Sequence, residues 1–188
     1  WKKKINKEIN FLFLSRLHKK KGIEDLIDAF SEVNDLNWNL NIVGSCGLKN
    51  QEYEKKLKLK VNHYNLEKKI KFYGNLNGKK KEKMYKYSDI LILPTYSENF
   101  GLVVAEALNS SLPAITTNYT PWVDFKNKGC WIIKPGKRSV VNIIVKVLKM
   151  DKKKLSSMGK KGKIYLSKNY NNLETTNKLI NLYFKSLN

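Results

Sequence analysis

The amino-acid sequence predicts an α/β domain built on a doubly wound, Rossmann-like parallel sheet with helices on both faces. Short apolar runs alternate along the chain with segments of helical periodicity, an order typical of such sheets. The runs are apolar almost without interruption, which indicates strands that are covered on both faces. The chain has 188 residues, with no internal repeat and no long linker, so we expect residues 1–188 to form a single domain.

The strands are predicted from the apolar runs and from the turn residues that follow them. The run from Ile90 to Leu93 is closed by Pro94, and the run that ends at Val43 leads into a turn at Gly44. On the same grounds we expect strands at residues 9–15, 38–43, 70–73, 90–93, 114–116 and 131–133.

The helices are predicted from apolar residues spaced three and four positions apart. The clearest case is the segment 22–33, where four apolar residues share one helical face: Ile23, Leu26, Ile27 and Phe30. Helices are expected at residues 22–33, 52–64, 81–87, 101–110, 139–150, 152–168 and 173–187. In a sheet of this kind ligands bind beyond the carboxyl ends of the strands. The loops that follow the strands are therefore the places where function is expected.

The composition is strongly basic, with a formal net charge of +21 from 37 Lys and Arg against 16 Asp and Glu. Such a charge suits nucleic acid, an anionic membrane surface or phosphorylated substrates. The lysines are spread along the whole length, which equally suits a solvated surface without a partner. Charge alone does not choose among these functions.

Several classes of protein are excluded by the sequence. No apolar run approaches the roughly 20 residues that a membrane-spanning helix needs. Two cysteines, Cys46 and Cys130, and two isolated histidines, His18 and His63, cannot make a disulfide framework or a four-ligand zinc site. We expect a reduced, cytoplasmic domain without a metal. The chain starts at Trp1 with no leader sequence, which we interpret as part of a longer protein.

The loop after the first predicted strand carries the basic motif Arg16-x4-Lys21-Gly22. Arg16 and Lys21 can converge on one anion, because a guanidinium grips phosphate oxygens in a fork and an ammonium supplies a mobile positive charge. The alternative is a solvated basic loop in a lysine-rich chain.

The loop after the fourth predicted strand leads into a helix that begins near Gly101. A helix N-terminus presents unpaired backbone N–H groups, which favour a diphosphate above the sheet. Glu98 precedes this helix, and Glu106 lies within its otherwise apolar sequence. A buried carboxylate needs hydrogen-bond donors, and sugar or ribose hydroxyls are suitable ones. The alternatives are an acid that favours the helix dipole at position 98 and a partly exposed helix residue at 106.

Together these residues resemble a known family. The motif Arg16-x4-Lys21-Gly22 and the motif Glu98-x7-Glu106, within S-E-N-F-G-L-V-V-A-E-A-L, are similar to the donor-binding domain of the retaining glycosyltransferases of family 4, which have the GT-B fold. The turn F-Y-G-N-L and the segment Y-S-D-I-L-I-L-P resemble further motifs of the family, in the same order. The resemblance extends over almost the whole chain.

The resemblance implies a hexosyltransferase-type retaining glycosyltransferase with three catalytic residues, Arg16, Lys21 and Glu98. Arg16 and Lys21 would bind the donor diphosphate and stabilise the charge that grows on it as the glycosidic bond breaks. Glu98 would hold hydroxyls of the donor sugar, and Glu106 those of the ribose. By the same resemblance the nucleobase lies near Gly44, Gly74, Asn75 and Leu76, and the phosphates, sugar and ribose lie near Asn99, Phe100, Gly101, Leu102 and Val103.

The resemblance also implies the partners of the protein. The donor would be a nucleotide-diphosphate sugar, a UDP- or GDP-sugar, bound without a metal or other cofactor. A saccharide or lipid-linked acceptor would bind an N-terminal domain that this chain lacks, so the chain would be the C-terminal half of the enzyme and would transfer no sugar alone. An enzyme of bacterial surface-polysaccharide or glycan synthesis would be cytoplasmic, with peripheral contact at the anionic inner face of the membrane and no nucleic-acid partner.

Some features depart from the family pattern. Asn99 stands where the family has Gly, and because Asn tolerates left-handed backbone we expect the turn to survive. The turn at residues 44–47 differs from the family's G-x-G-P form. Trp122 and Trp131 lie in phrases similar to those of surface-polysaccharide transferases and equally suit the core. Two other functions stay open, a nucleotide-sugar epimerase of the GT-B fold and a basic module that binds nucleic acid or a membrane surface.

Overall fold

The structure is a computed structural model that describes residues 8–47 and 50–170. Its strands, in chain order, are β1 (Ile9–Leu14), β2 (Trp38–Val43), β3 (Ile70–Phe72), β4 (Ile90–Leu93), β5 (Ala114–Thr117) and β6 (Cys130–Ile133). They form one parallel sheet in the order β3-β2-β1-β4-β5-β6. The parallel α/β architecture predicted from the sequence is confirmed.

Helices connect these strands and cover both faces of the sheet. They are α1 (Ile23–Ser31), α2 (Gln51–His63), α3 (Gly78–Tyr87), α4 (Leu102–Asn109), α5 (Lys137–Leu148) and α6 (Lys152–Tyr170), with short 3-10 turns at Lys19–Lys21 and Val123–Phe125.

The strand order reverses between β1 and β4. Strand β1 pairs with β2 on one side, starting at Ile9 opposite Trp38, and with β4 on the other, starting at Phe11 opposite Ile90. Successive strands are added outward from this point in opposite directions, so the loops after β1 and β4 diverge and leave a crevice at the carboxyl edge. The topology therefore places the two motif-bearing loops side by side.

The sheet is buried on both faces. All four residues of β4 are buried, and so are residues 11–14 of β1, which means that side chains pointing to either face are covered. On α1, the four apolar residues predicted to share a face are also buried. Burying one large apolar side chain contributes about 1.5–3 kcal/mol. Two-sided burial thus explains the uninterrupted apolar runs of the sequence.

Two glycines let α6 lie close to the elements around α4. A Cβ on Gly159 would come within 1.9 Å of the carbonyl oxygen of Ser111, and one on Gly162 within 2.6 Å of Cδ2 of Leu108. A larger residue at either position would push the helix outward, because its neighbours at Gly159 are backbone atoms that cannot rotate away.

Some helix boundaries differ from the sequence prediction. Helix α3 begins at Gly78 and not at residue 81, because its first residues, 78–80, are exposed and offer no apolar periodicity. Helix α5 begins and ends two residues earlier than predicted. The predicted helix at residues 173–187 lies outside the described residues. None of the described helices is both long enough and apolar enough to cross a membrane.

Candidate active site

The loops after β1 and β4 touch at the centre of the site. The backbone N–H of Tyr96 donates to the carbonyl oxygen of Lys20 at 2.7 Å, and the Thr95 hydroxyl donates to the same oxygen at 3.0 Å. Gly22 has a left-handed φ of 68°, and a Cβ there would lie 2.2 Å from the carbonyl oxygen of Pro94. Glycine at position 22 therefore lets the two loops approach each other.

Lys21 and Glu98 form an ion pair between these two loops. Nζ of Lys21 lies 2.5 Å from Oε2 of Glu98, and the side chains are 13% and 17% exposed. The ammonium also donates to the carbonyl oxygen of Ser97 at 3.4 Å. Shielding from water strengthens such a pair relative to one on the surface. Both residues were predicted to be in the site, and the structure brings them into direct contact.

Arg16 lies on the same loop but has a different setting. Its side chain is exposed and forms no hydrogen bond or ion pair with another residue that the structure describes. The backbone on either side is anchored, since Ser15 N–H donates to the carbonyl oxygen of Val43 at 3.1 Å and Leu17 N–H to that of Ser45 at 3.0 Å. The backbone of the loop is therefore anchored, and the guanidinium of Arg16 donates to no described acceptor.

The N-terminus of α4 lies beside the ion pair. Gly101, which precedes the helix, has a left-handed φ of 71°, and a Cβ there would lie 3.3 Å from Cγ of Glu98. Within the described chain, the backbone N–H groups of Phe100, Gly101 and Leu102 find no acceptor. Unpaired N–H groups and the helix dipole favour an anion at this end. The predicted backbone contacts are therefore adjacent to the predicted acid.

Asn99 does not adopt the backbone conformation that the sequence suggested. Among described residues other than glycine, a positive φ occurs at Asn65, Ser111 and Asn127, and Asn99 is not one of them. The left-handed residue of this turn is Gly101. The tolerance of Asn for left-handed backbone is therefore not needed at position 99.

Glu106 lies inside α4 and is held by two side chains of α3. Nζ of Lys81 donates to Oε1 at 2.7 Å and lies 2.6 Å from Oε2, and the Tyr85 hydroxyl donates to Oε2 at 2.6 Å. Burial first, and then the hydrogen bond to Glu106, raise the pKa of Tyr85 far above its usual value, so the hydroxyl keeps its proton. The Glu106 side chain is 41% exposed, which leaves part of the carboxylate open to a ligand.

Sequence reasoning missed Lys81 and Tyr85. Lys81 ends a run of three lysines that nothing distinguishes in the sequence, and the predicted start of α3 fell on Lys81 itself. The spacing of four residues places both side chains on one face of a helix, and this was the available signal. The hydrogen-bond donors expected for Glu106 were ligand hydroxyls, whereas in the structure two side chains of the protein, Lys81 and Tyr85, donate to its carboxylate.

The loops after β2 and β3 meet on the other side of β1. The N–H of Gly44 donates to the carbonyl oxygen of Gly74 at 2.8 Å, so the two turns predicted to receive the nucleobase are joined directly. Asn75 is exposed, while Leu76 and Val103 are half-buried against the core. No hydrogen bond in the described chain links these turns to Glu98 or Glu106.

No group of three or more His, Cys, Asp or Glu side chains in residues 8–47 and 50–170 is placed to hold a metal ion. Cys46 and Cys130 are buried thiols, and burial raises the pKa of Cys130 to about 12.

A parallel sheet with a basic loop, a helix N-terminus and two carboxylates at its reversal point defines a class of protein. It is the class of α/β domains that bind phosphorylated ligands, nucleotides above all, at the carboxyl edge of the sheet.

Comparison with known proteins narrows this class to one family. The family model of group 1 glycosyl transferases matches residues 1–165, which is most of the chain. The chain belongs to this family.

Two relatives found by sequence comparison agree with this assignment. An uncharacterised glycosyltransferase of Methanocaldococcus jannaschii is 32% identical over 128 residues, which cover 63% of this chain and 32% of that protein. The capsular polysaccharide biosynthesis glycosyltransferase CapM of Staphylococcus aureus is 28% identical over 130 residues, 65% of this chain and 31% of that protein. The chain therefore spans less than a third of the length of either relative.

Solved structures show the same fold. The C-terminal domain of the group 1 glycosyl transferase LpcC from Francisella tularensis superposes with a TM-score of 0.77 at 21% identity, covering 89% of this chain and 88% of that one. Anabaena HepE in complex with UDP-glucose gives a TM-score of 0.79 at 21% identity, covering 95% of this chain and 49% of that one. The expected fold, a Rossmann-like half-domain of the GT-B type, is confirmed.

Proposed function

We propose that this chain is the donor-binding half of a retaining glycosyltransferase that uses a UDP- or GDP-sugar. The observation that supports this most is the shielded ion pair of Lys21 and Glu98 beside the N-terminus of α4, where the loop of Lys21 also carries exposed Arg16. These groups offer two positive charges and unpaired N–H donors to a diphosphate, and a carboxylate to sugar hydroxyls. The complex of the structural neighbour HepE with UDP-glucose also favours a nucleotide sugar.

Donor binding would exchange one ion pair for another. A diphosphate attracts Lys21 away from Glu98 and engages Arg16 as well, and each charge-assisted hydrogen bond contributes about 1.5–3 kcal/mol. Glu98, released from Lys21, accepts hydrogen bonds from hydroxyls of the sugar. While the site is empty, the two side chains thus compensate each other's charge. When the donor arrives, both become available to bind it.

Cleavage of the glycosidic bond places more negative charge on the leaving diphosphate. Lys21, the N–H groups at the start of α4 and the exposed guanidinium of Arg16 would interact with that charge as it develops, and would stabilise the transition state more than the bound donor. Retention of configuration follows from the family resemblance.

Glu106 would hold the ribose. A carboxylate has about four acceptor positions, of which Lys81 and Tyr85 use three. The remaining position lies on a side chain that is partly open to solvent and can accept a hydroxyl. Because the two donors from α3 already fix the carboxylate, binding ribose costs little side-chain entropy.

Transfer of the sugar also requires an acceptor site, which we assign to the other half of the enzyme. Holding donor and acceptor together supplies a large part of the rate acceleration, so this chain alone should transfer no sugar. The acceptor would be a saccharide or lipid-linked molecule of polysaccharide synthesis, as the name of the relative CapM suggests. Efficient transfer by the chain alone would contradict this division of labour.

A panel of nucleotide sugars tests the proposed donor. UDP-, GDP- and ADP-sugars are added separately to the chain in EDTA, and the midpoint of thermal unfolding is measured. A ligand at about 100 times its Kd stabilises the fold by about 2.7 kcal/mol, which shifts the midpoint by several degrees. We expect a UDP- or GDP-sugar to give the largest shift. No shift with any nucleotide sugar would contradict the proposal.

Contact with an anionic membrane is a second proposal, and it is supported by α6. This helix contains no Asp or Glu and carries seven lysines: Lys152, Lys153, Lys154, Lys160, Lys161, Lys163 and Lys168. A lysine near an anionic bilayer contributes about 1 kcal/mol, an attraction that salt screens. We expect co-sedimentation with vesicles that contain an anionic lipid and release at high salt. Equal binding to neutral vesicles would contradict it.

A further inference from the structure

The loop that carries Glu98 is held at both ends by the last residue of β5 and the segment that follows it. At one end the Thr117 hydroxyl donates to the carbonyl oxygen of Thr95 at 2.7 Å. At the other, Nε1 of Trp122 donates to the carbonyl oxygen of Phe100 at 2.6 Å. The donor side chains of both hydrogen bonds, Thr117 and Trp122, are buried, which limits the competition of water for them. Glu98 lies in the chain between the two points.

Trp122 also packs against the residues around its hydrogen bond. Its ring lies edge-on to that of Phe100, with centroids 5.2 Å apart. A Cβ on Gly101 would lie 3.2 Å from Nε1 of Trp122 and 3.3 Å from Cγ of Glu98. Gly101 is therefore enclosed between the indole and the acid, and a shift of the indole would reach both the start of α4 and Glu98.

The indole itself is fixed from behind. Phe125 lies edge-on to Trp122 at a centroid distance of 5.0 Å, and Tyr170, at the end of α6, lies 5.7 Å away at an angle of 34°. A buried ring held by aromatic neighbours has little freedom to rotate. Its N–H can therefore specify the position of the Phe100 carbonyl.

We propose that Trp122 is a positioning residue of the donor site. By holding the Phe100 carbonyl it fixes the peptide units that carry the unpaired N–H groups at the start of α4, and it fixes the loop that places Glu98 next to Lys21. This inference rests on the proposed function, since it assigns those groups to a nucleotide sugar. Trp122 acts through the loop and does not touch the ligand.

The test compares two tryptophan variants that lose the same kind of bond. Trp122→Phe keeps an aromatic ring and removes the N–H donor. Trp38→Phe is the matched control, because Trp38 is fully buried at the opposite end of the sheet and its Nε1 donates to the carbonyl oxygen of Val33 at 2.7 Å. Trp122→Phe removes the indole donor to the Phe100 carbonyl, whereas in Trp38→Phe the Val33 carbonyl oxygen still accepts from the Leu36 N–H at 3.1 Å. Trp38→Phe therefore controls for the loss of one buried indole hydrogen bond, and we expect its unfolding midpoint to fall by no more than that of Trp122→Phe.

Calorimetric titration with UDP distinguishes positioning from stability. We expect Trp122→Phe to weaken UDP binding by about three- to tenfold, the size of one net hydrogen bond, while Trp38→Phe binds UDP as the unmodified chain does. If Trp122→Phe lowers the unfolding midpoint but binds UDP unchanged, the positioning role is overturned. Equal weakening by both variants overturns it as well.

Amide hydrogen exchange tests the effect of Trp122 on the loop independently of the proposed function. Without any ligand, we expect the amide of Val104, which donates to the carbonyl oxygen of Gly101 at 2.8 Å, to exchange faster in Trp122→Phe than in Trp38→Phe. If the unmodified chain binds no nucleotide sugar and this difference is still seen, the proposed function fails while the control of the loop by Trp122 stands. Unchanged exchange at Val104 overturns that control whatever the chain binds.

Discussion

The two acids of the Glu98-x7-Glu106 motif have the same chemistry and different surroundings. Glu98 lies on a loop, is largely shielded from water, and has one cationic partner that comes from another loop, Lys21. Glu106 lies inside a helix, is more exposed, and has two partners on a neighbouring helix, Lys81 and Tyr85.

This difference separates an acid that can change partners from one that cannot. The ion pair between Glu98 and Lys21 joins two side chains that can rotate apart when a diphosphate competes for the ammonium, while the loops that carry them stay in place. Of the partners of Glu106, Tyr85 is fixed by its burial, and Lys81 contacts both oxygens of the carboxylate. We therefore expect Glu98 to leave Lys21 and accept hydrogen bonds from the sugar. We expect Glu106 to act as a fixed hydrogen-bond acceptor for the ribose.

The largest effect is expected when the cations of the first loop are removed. Arg16→Ala combined with Lys21→Ala eliminates both positive charges proposed to bind the diphosphate. Each charge-assisted contact contributes about 1.5–3 kcal/mol, so the affinity for UDP should fall by more than tenfold, measured by calorimetric titration.

The control for this variant comes from the same loop. Lys19→Ala combined with Lys20→Ala removes two exposed lysines and changes the net charge equally. We expect it to bind UDP nearly as the unmodified chain does. Equal losses in the two double variants would mean that UDP responds to general charge and not to Arg16 and Lys21.

Glu98→Gln is expected to separate the sugar from the nucleotide. The substitution keeps the shape of the side chain but removes the charge that accepts sugar hydroxyls, so the affinity for a UDP-sugar should fall by about tenfold. Free UDP should bind at least as tightly as before, because Lys21 no longer has to leave a carboxylate. A parallel titration with both ligands checks this, and equal losses for UDP and UDP-sugar would show that Glu98 does not act on the sugar.

Glu106→Gln is expected to have a smaller effect that depends on the ribose. The amide keeps one acceptor oxygen, so binding of UDP should weaken by a few-fold, and binding of 2′-deoxy-UDP should weaken less. The ratio of the two dissociation constants is the quantity to measure. An unchanged ratio would assign Glu106 a purely structural role through Lys81 and Tyr85.

The smallest expected effect concerns Tyr85 and alkaline pH. Its folded-state pKa is raised, chiefly by burial and next by Glu106, so the folded chain keeps a proton that the unfolded chain loses near pH 10. The stability that Tyr85 contributes is therefore complete below about pH 10 and declines above it. We expect the unmodified chain to lose more stability than Tyr85→Phe between about pH 9 and pH 11, measured by urea unfolding. Parallel declines would show that Tyr85 titrates normally.

Much of the fold could be predicted because it depends on local pattern. The residues of β4 are apolar without a break since both faces of the strand are covered, and α1 shows one apolar face since it packs on one side. The start of α3 could not be predicted in the same way, because its first residues, 78–80, contact solvent and no packing selects their type.

The sequence marked candidate residues for the site but not the contacts between them. The family motifs marked Lys21 and Glu98, but their ion pair joins positions 77 residues apart, which no local spacing reveals. The apolar character of Trp122 indicated burial, while its hydrogen bond to Phe100 depends on how two loops meet. A sequence pattern reports the environment that a residue prefers, and the identity of its partner arises from the tertiary structure.

The central claim is that this chain binds a nucleoside diphosphate with its own cations and without a metal ion. Calorimetric titration of the unmodified chain with UDP, first in EDTA and then with magnesium in excess, tests it most directly. We predict saturable binding to one site in EDTA, with a dissociation constant that magnesium changes by less than about twofold, because Arg16 and Lys21 supply the charge that a metal would otherwise provide. Binding that occurs with magnesium and is absent in EDTA would contradict the account.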